Sequence, residues 1–307
     1  QELIQQNCEK MKTIMPDASI GIYSAGLKQK DKTAQITFAS IQSIYNKTMT
    51  EVGAFDVVLV DEAHRIPVSG EGQYREFLRD QARLVKGFKV AGFTATPYRL
   101  KGGVICHRKN ILNRICYEVP VTKLINEGYL CQPVSLSDEY QIDTSGIKTS
   151  AGDFNLKQLS EKVSALEIVQ KTAKEIISHT KDRNHVLIFA SSVEHAELLS
   201  AEIMSNCLHS CPVVSGETPK EQRKLFLRDF KRGIHKYLVN CMVLTEGFDA
   251  PNIDCVVIVR PTQSPGLYMQ MCGRGLRLHE SKKDCLILDF GGNIERHGPI
   301  DNINPPP

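Results

Sequence analysis

Short β-branched and apolar runs recur along the chain with helix-period segments between them, and this alternation restricts the fold more than any other feature. Strands that alternate with helices pair in parallel, because a crossover returning to the same end of a sheet is long enough to hold a helix. The runs lie at 20–23, 36–39, 57–60 and 90–94 in the first half, and at 186–190, 213–215, 237–241, 255–259 and 285–289 in the second. Most are continuously apolar, the pattern of strands covered on both faces. Between them, 165–180 sets Ile168, Ala173, Ile176 and Ile177 on one helical face. Thr218-Pro219-Lys220-Glu221 has the form of a capping box with proline at the first helical position. The helix it opens carries Leu225, Phe226 and Phe230 and stops at Gly233.

A chain of 307 residues suits two domains of about 150 residues each. Residues 132–162, rich in Ser, Asp, Gly and Lys and weak in periodicity, are expected to be the boundary. That divides the chain into a first domain at 1–131, a linker at 132–162, a second domain at 163–300 and a tail at 301–307 ending in three prolines. A net charge of +3 supplies no whole-molecule attraction to nucleic acid, so any such partner must be held by a local surface. The ten cysteines include no CxxC pair, and even Cys207 and Cys211 read as buried thiols rather than a disulfide or zinc site. No apolar run reaches a membrane span and no secretory signal opens the chain. The expectation is a cytoplasmic protein without a membrane partner.

Four clusters carry chemistry. Phe55-Asp56-Val57-Val58-Leu59-Val60-Asp61-Glu62-Ala63-His64 delivers two acids to the end of a buried strand, where open α/β sheets bind ligands. Two such carboxylates can divide the labour of nucleotide hydrolysis, one holding magnesium and the other activating a water. Alone, Asp-Glu is as well explained by a helix cap; Ala63 and His64 weaken that explanation. Gly92-Phe93-Thr94-Ala95-Thr96-Pro97 ends the next strand with two hydroxyls able to bond to those acids. Tyr268 through Arg277 reads as a helix in which Gln270, Arg274 and Arg277 share a face, a clamp for developing phosphate charge. A merely solvated basic face would not explain Gly273 and Gly275 inside a helix, at about 1 kcal/mol each. Leu244-Thr245-Glu246-Gly247-Phe248-Asp249-Ala250-Pro251 places a glycine and an acid after a strand, suited to a ribose or a backbone phosphate.

In this order and at these spacings the clusters resemble superfamily 2 DEAH-box helicases, nearest the RadD-like group of bacterial and phage DNA helicases. Glu2 through Gln6 looks like motif Ia, Phe38 through Ser43 like Ib, Asp61 through His64 like II and Thr94 through Pro97 like III. Ile188 through Ser191 resembles motif IV, Thr245 through Asp249 motif V and Gln270 through Arg277 motif VI. The resemblance implies an α/β fold of two tandem RecA-like domains, parallel sheets with flanking helices, the first incomplete at its N-terminus. It implies ATP and Mg²⁺ as cofactors and DNA as partner, single- or double-stranded, held by sequence-independent backbone contacts that salt would weaken. Protein partners of repair or replication are compatible with it. Asp61 would hold magnesium through water, Glu62 would be the general base, and Arg274 and Arg277 would be arginine fingers. Asp249 would meet the ribose, with Gly247 beside it, while His64, Gln270, Thr94 and Thr96 would couple nucleotide state to domain closure. Gln5, Ser40, Gln42, Ser191 and Thr245 would follow the nucleic-acid backbone.

One family feature is missing. No Gly-Lys dipeptide occurs in the sequence, so the phosphate-cradling Gly-Lys-Ser/Thr loop is absent. Because residue 1 already falls in motif Ia, truncation upstream is the expected reason. These residues alone should then hydrolyse little ATP and expose an apolar sheet edge. Two other readings stay open: a motor subunit of a restriction or excision-repair complex, and a nucleic-acid-binding module that does not hydrolyse ATP.

Overall fold

The computed structural model describes residues 2–99, 103–137, 141–150, 152–244 and 248–303. The chain divides into two units, 1–116 and 117–307. In the first, the order is α1 (Glu2–Ile14), β1 (Ile20–Ser24), β2 (Gln29–Lys30), β3 (Ile36–Ala39), α2 (Ile41–Ile44), β4 (Val57–Val60), α3 (Gln73–Leu84), β5 (Lys89–Gly92), β6 (Tyr98–Arg99) and β7 (Gly103–Val104). β1 pairs with β3 in parallel and with β2 antiparallel, β4 pairs with β5 in parallel, and β6 and β7 form a hairpin. Val60, Ala63, Phe77 and Leu78 form the centre of one core, and Cys8, Ile20 and Ile22 that of a smaller one.

The second unit runs α4 (Val121–Asn126), β8 (Gln132–Ser137), β9 (Thr149–Ser150), β10 (Asp153–Phe154), α5 (Leu156–Val163), α6 (Leu166–His179), β11 (Val186–Phe189), α7 (Val193–Asn206), β12 (Val213–Val214), α8 (Lys220–Lys231), β13 (Tyr237–Asn240), β14 (Cys255–Ile258), α9 (Pro265–Gly273), β15 (Asp284–Asp289) and α10 (Asn293–His297). Six strands form one sheet in the order β12-β13-β11-β14-β15-β8, parallel throughout. The sheet is covered on both faces. β11 sends Val186 and Ile188 into a core shared with α5, α6 and α7, and Leu187 and Phe189 into one shared with α8 and α9. That is why its residues are all apolar: each fully buried side chain contributes about 1.5–3 kcal/mol, and neither face is open to water. This parallel arrangement with flanking helices bears out the expected α/β class.

Two sequence expectations need correcting here. Residues 132–162 do not form a linker. β8 adds an edge strand to the six-stranded sheet beside β15, β9 and β10 form a hairpin, and α5 packs Leu159 and Val163 into the core. Polar composition hid this because an edge strand is half open to water, and four of the six residues of β8 are exposed. Thr218 does not cap α8. The helix begins at Lys220 with Pro219 at the cap position, and the Thr218 hydroxyl accepts from the backbone N–H of Ser215 at 2.9 Å. The same side-chain chemistry that caps helices also closes turns, and here the turn takes it.

Candidate functional site

In the first unit the acids stand where β4 ends. β5 lies beside β4 with Val60 opposite Gly92, and the pairing continues past both strands, from Phe93 N–H to Val60 O at 2.8 Å and from Ala63 N–H to Phe93 O at 2.9 Å. The approach is close enough that a Cβ at Gly92 would meet the Ala63 methyl at 2.6 Å. Glu62 sits at φ 50°, ψ 50°, a left-handed conformation that costs a non-glycine residue free energy and clusters at functional sites. Its Oε2 comes within 3.2 Å of His64 Nδ1, while the Glu62 N–H donates to Asp61 Oδ1 at 2.9 Å.

His64 joins this acid to the neighbouring strand end. Its Nδ1 lies 2.9 Å from Thr94 Oγ1. The Thr94 hydroxyl donates to the Thr96 carbonyl at 3.1 Å and accepts from the Thr96 N–H at 3.0 Å. A proton on His64 Nδ1 would serve both Thr94 and the Glu62 carboxylate, which can only accept. The Thr96 hydroxyl completes the group at 3.5 Å from the same nitrogen. The structure therefore brings Glu62, His64, Thr94 and Thr96 together. The expected contact of the two hydroxyls with the acids runs through His64 instead.

In the second unit, α9 starts at a Ser264 cap that accepts from Leu267 N–H at 3.2 Å, with Pro265 in the first turn. It ends at Gly273, with Arg274 as its C-cap. Arg277 is outside the helix, so the expected i, i+4, i+7 face does not exist, and neither glycine is a helix-interior residue. Gly275 is required for another reason: a Cβ there would meet Cys285 Sγ at 2.2 Å and Val256 Cγ2 at 2.8 Å. With no side chain, the segment lies flat on the sheet, and Leu130 bridges to Arg277 while Cys131 N–H donates to Leu276 O at 2.8 Å. Both arginines then converge on one acceptor. Arg274 and Arg277 donate to the Phe248 carbonyl at 3.0 and 2.8 Å, and Arg277 also donates to Asp249 Oδ1 at 2.8 Å. Sequence reasoning passed over Phe248, because a backbone carbonyl has no signature in residue identity. Gln270 is half-buried on α9, and its carbonyl accepts from Arg274 Nε at 3.4 Å.

The remaining expected residues are less concentrated. Gln5 is exposed on α1 and donates to Glu9 at 3.0 Å. Ser40 and Gln42 follow β3, Gln42 exposed and Ser40 sharing a 2.7 Å hydroxyl contact with Ser43. Ser191 departs from its expected role as a backbone-tracking surface group, since its hydroxyl is buried and donates to Val259 O at 3.1 Å. Thr245 and Gly247 lie outside the described residues, as do the terminal prolines. The cysteines are free, seven of them buried. No helix among the described residues is long and apolar enough to cross a membrane.

The donor chemistry at Asp61 and Glu62 suits magnesium, which takes hard oxygen ligands and binds through one or two carboxylates together with waters and phosphate oxygens. Among the described residues no group of three or more His, Cys, Asp and Glu side chains forms an all-protein metal cage. Asp61 and Glu62 could hold a magnesium nucleotide, and Arg274 and Arg277 supply two permanent cations.

Known protein families match stretches in both units. The family described as the type III restriction enzyme, res subunit, matches residues 1–99, and the helicase conserved C-terminal domain matches residues 167–279. The chain is 30% identical over 296 residues to IRC3 of Saccharomyces cerevisiae, named as an inferred ATP-dependent helicase, covering 95% of this chain and 42% of that one. It is 31% identical over 298 residues to a Schizosaccharomyces pombe relative named as an inferred mitochondrial ATP-dependent helicase, covering 96% of this chain and 48% of the relative. The chain thus spans less than half the length of either. A fragment of an inferred HsdR subunit of a type I restriction enzyme from Vibrio vulnificus YJ016 shares the fold, with a TM-score of 0.69 at 21% identity over 94% of this chain and 56% of that one. The chain thus carries a region matching the res-subunit family followed by one matching the helicase conserved C-terminal domain, on folds like those of tandem RecA-like helicase cores.

Proposed function

We propose that these residues form the motor of an ATP-dependent DNA helicase or translocase, with Glu62 as the general base. The reading rests above all on the Glu62–His64–Thr94–Thr96 group: a strained acid at a strand end, oriented by a histidine that is itself held by the next strand. Magnesium, when bound with ATP, would neutralise phosphate charge and polarise the phosphorus centre. Glu62 would take the proton of the attacking water. Asp61 would supply the carboxylate to the metal, and Arg274 and Arg277 would stabilise charge on the phosphoryl oxygens. His64, with Thr94 and Thr96, would transmit a change at the acid to the end of β5. The restriction-enzyme kinship of the first unit and the DNA-acting members the motifs resemble, the RadD-like group among them, favour DNA over RNA. The HsdR-like fold also favours a second reading, a motor subunit within a larger restriction or repair assembly.

The test is DNA-stimulated ATP turnover by the whole protein, compared with Glu62→Gln. Loss of a positioned general base should lower turnover by about 10²–10⁴-fold, while DNA binding persists and weakens with salt. Turnover unchanged in the variant would remove Glu62 from the mechanism. DNA binding with no turnover, indifferent to ATP, would leave a binding module as the better description. Residues 1–307 by themselves contain no Gly-Lys dipeptide and should turn over little ATP.

A further inference from the structure

The arginine pair carries an observation that the proposed hydrolysis does not use. Two guanidinium groups share the Phe248 carbonyl, at 3.0 and 2.8 Å. Two cations drawn to one neutral acceptor repel each other, and a carbonyl dipole compensates only part of that repulsion. The Asp249 carboxylate, 2.8 Å from Arg277, places a negative charge beside that guanidinium. The acceptor is anchored through its side chain, because the Phe248 ring is buried and packs 6.5 Å from the Phe230 ring in the core. Arg277 is fixed on its other side by the backbone bridge to Leu130.

An ion pair this open contributes little to stability: the Asp249 side chain is 64% exposed and that of Arg277 34%. Its consequence is therefore geometric. We propose that Phe248 and Asp249 form a clamp that sets the arginine pair, and that Asp249 is a positioning residue acting through Arg277 rather than a group that touches the ribose. The proposal rests on the reading of Arg274 and Arg277 as phosphate-facing arginines. It adds that Phe248 and Asp249 set where these guanidinium groups stand.

The two roles for Asp249 predict different kinetics. A ribose contact is uniform binding, so its loss raises KM for ATP with kcat little changed; a positioning role lowers kcat and leaves KM alone. For the whole protein, Asp249→Ala should lower DNA-stimulated kcat about tenfold with KM for ATP within about twofold. Because the effect passes through Arg277, adding Asp249→Ala to Arg277→Ala should change kcat by less than about twofold. Asp249→Glu should recover part of the activity, and Asp249→Asn should not, since the ion pair with Arg277 needs the carboxylate charge. A tenfold rise in KM with kcat intact, or full additivity with Arg277→Ala, would overturn the clamp. The clamp is also read without turnover, from the guanidinium Nη–H resonances of the nucleotide-free protein, the groups that make these contacts. Arg274 and Arg277 should give slowly exchanging signals that Asp249→Ala broadens. If wild-type protein shows no turnover yet these signals respond, the hydrolytic reading falls and the clamp stands. If the signals ignore Asp249→Ala, the clamp falls whatever the turnover.

Discussion

β4 in the first unit and β14 in the second are nearly interchangeable as text, Val57-Val58-Leu59-Val60 against Cys255-Val256-Val257-Ile258. Their surroundings are opposite. β14 is completely buried, whereas Val57 and Leu59 are 51% and 65% exposed. β14 is fourth in a six-stranded sheet with helices on both faces, while β4 pairs only with β5 among the described strands and buries Val60 against Ala63, Phe77 and Leu78 on one side. An apolar run states that a strand can be covered; it does not state what covers it. The comparison also separates two kinds of site. The first unit holds strain and a short hydrogen-bonded relay at a strand end, and the second holds a flat segment pressed onto a finished sheet.

The largest test of this contrast is a pair of leucines. Leu238 in β13 is fully buried, so Leu238→Ala should cost about 2–5 kcal/mol. Leu59→Ala should change stability by no more than about 0.5 kcal/mol. Urea denaturation of each variant measures both, and equal costs would mean that Leu59 is covered in solution. The next effect is a pH dependence in the second unit. Burial holds His195 down to about 4, against 6.5 unperturbed. The folded form therefore stays neutral where the unfolded chain takes a proton. The stability from this neutral state is present above pH 6.5 and is lost as pH falls from 6.5 to about 4, amounting in full to roughly 3 kcal/mol. Melting followed from pH 7 to 4.5 should show that decline, and the His195→Gln variant should lessen it, with half-buried His185 and buried His297 carrying the rest. A variant with an unchanged pH slope would assign the effect to other groups. The smallest effect is Gly275→Ala, which overfills the contact with Cys285 and should destabilise by about 1–3 kcal/mol. It should also lower turnover, because Arg274 and Arg277 flank that glycine. Normal turnover would mean the segment can lift without disturbing the arginines.

The strands were the most legible part of the structure, since β-branched apolar runs at 186–189 and 255–258 have few other uses. The acid pair and its histidine were legible too, because Asp61, Glu62 and His64 declare themselves by side-chain type. The relay through Thr94 was half visible: both hydroxyls were expected to meet the acids, and the histidine between them was assigned a role without that geometry. The helical face shared by Gln270, Arg274 and Arg277 was misread, because periodicity does not reveal that the helix stops at Gly273. The boundary was misplaced because β8 and α5 are polar on their open sides and resemble a loop in composition.

By itself the sequence determined which stretches could be strands, that the main sheet would be parallel with helices between its strands, and which acids and arginines were available for phosphate chemistry. Those follow from local propensity and side-chain chemistry, and both are properties of residues in order. Only the tertiary structure decided that Arg274 and Arg277 share the Phe248 carbonyl, that Gly275 must be bare to lie on Cys285, and that Ser191 turns inward to Val259. Each of these joins segments far apart in the chain through backbone atoms or excluded volume, and neither leaves a mark on the identity of any single residue.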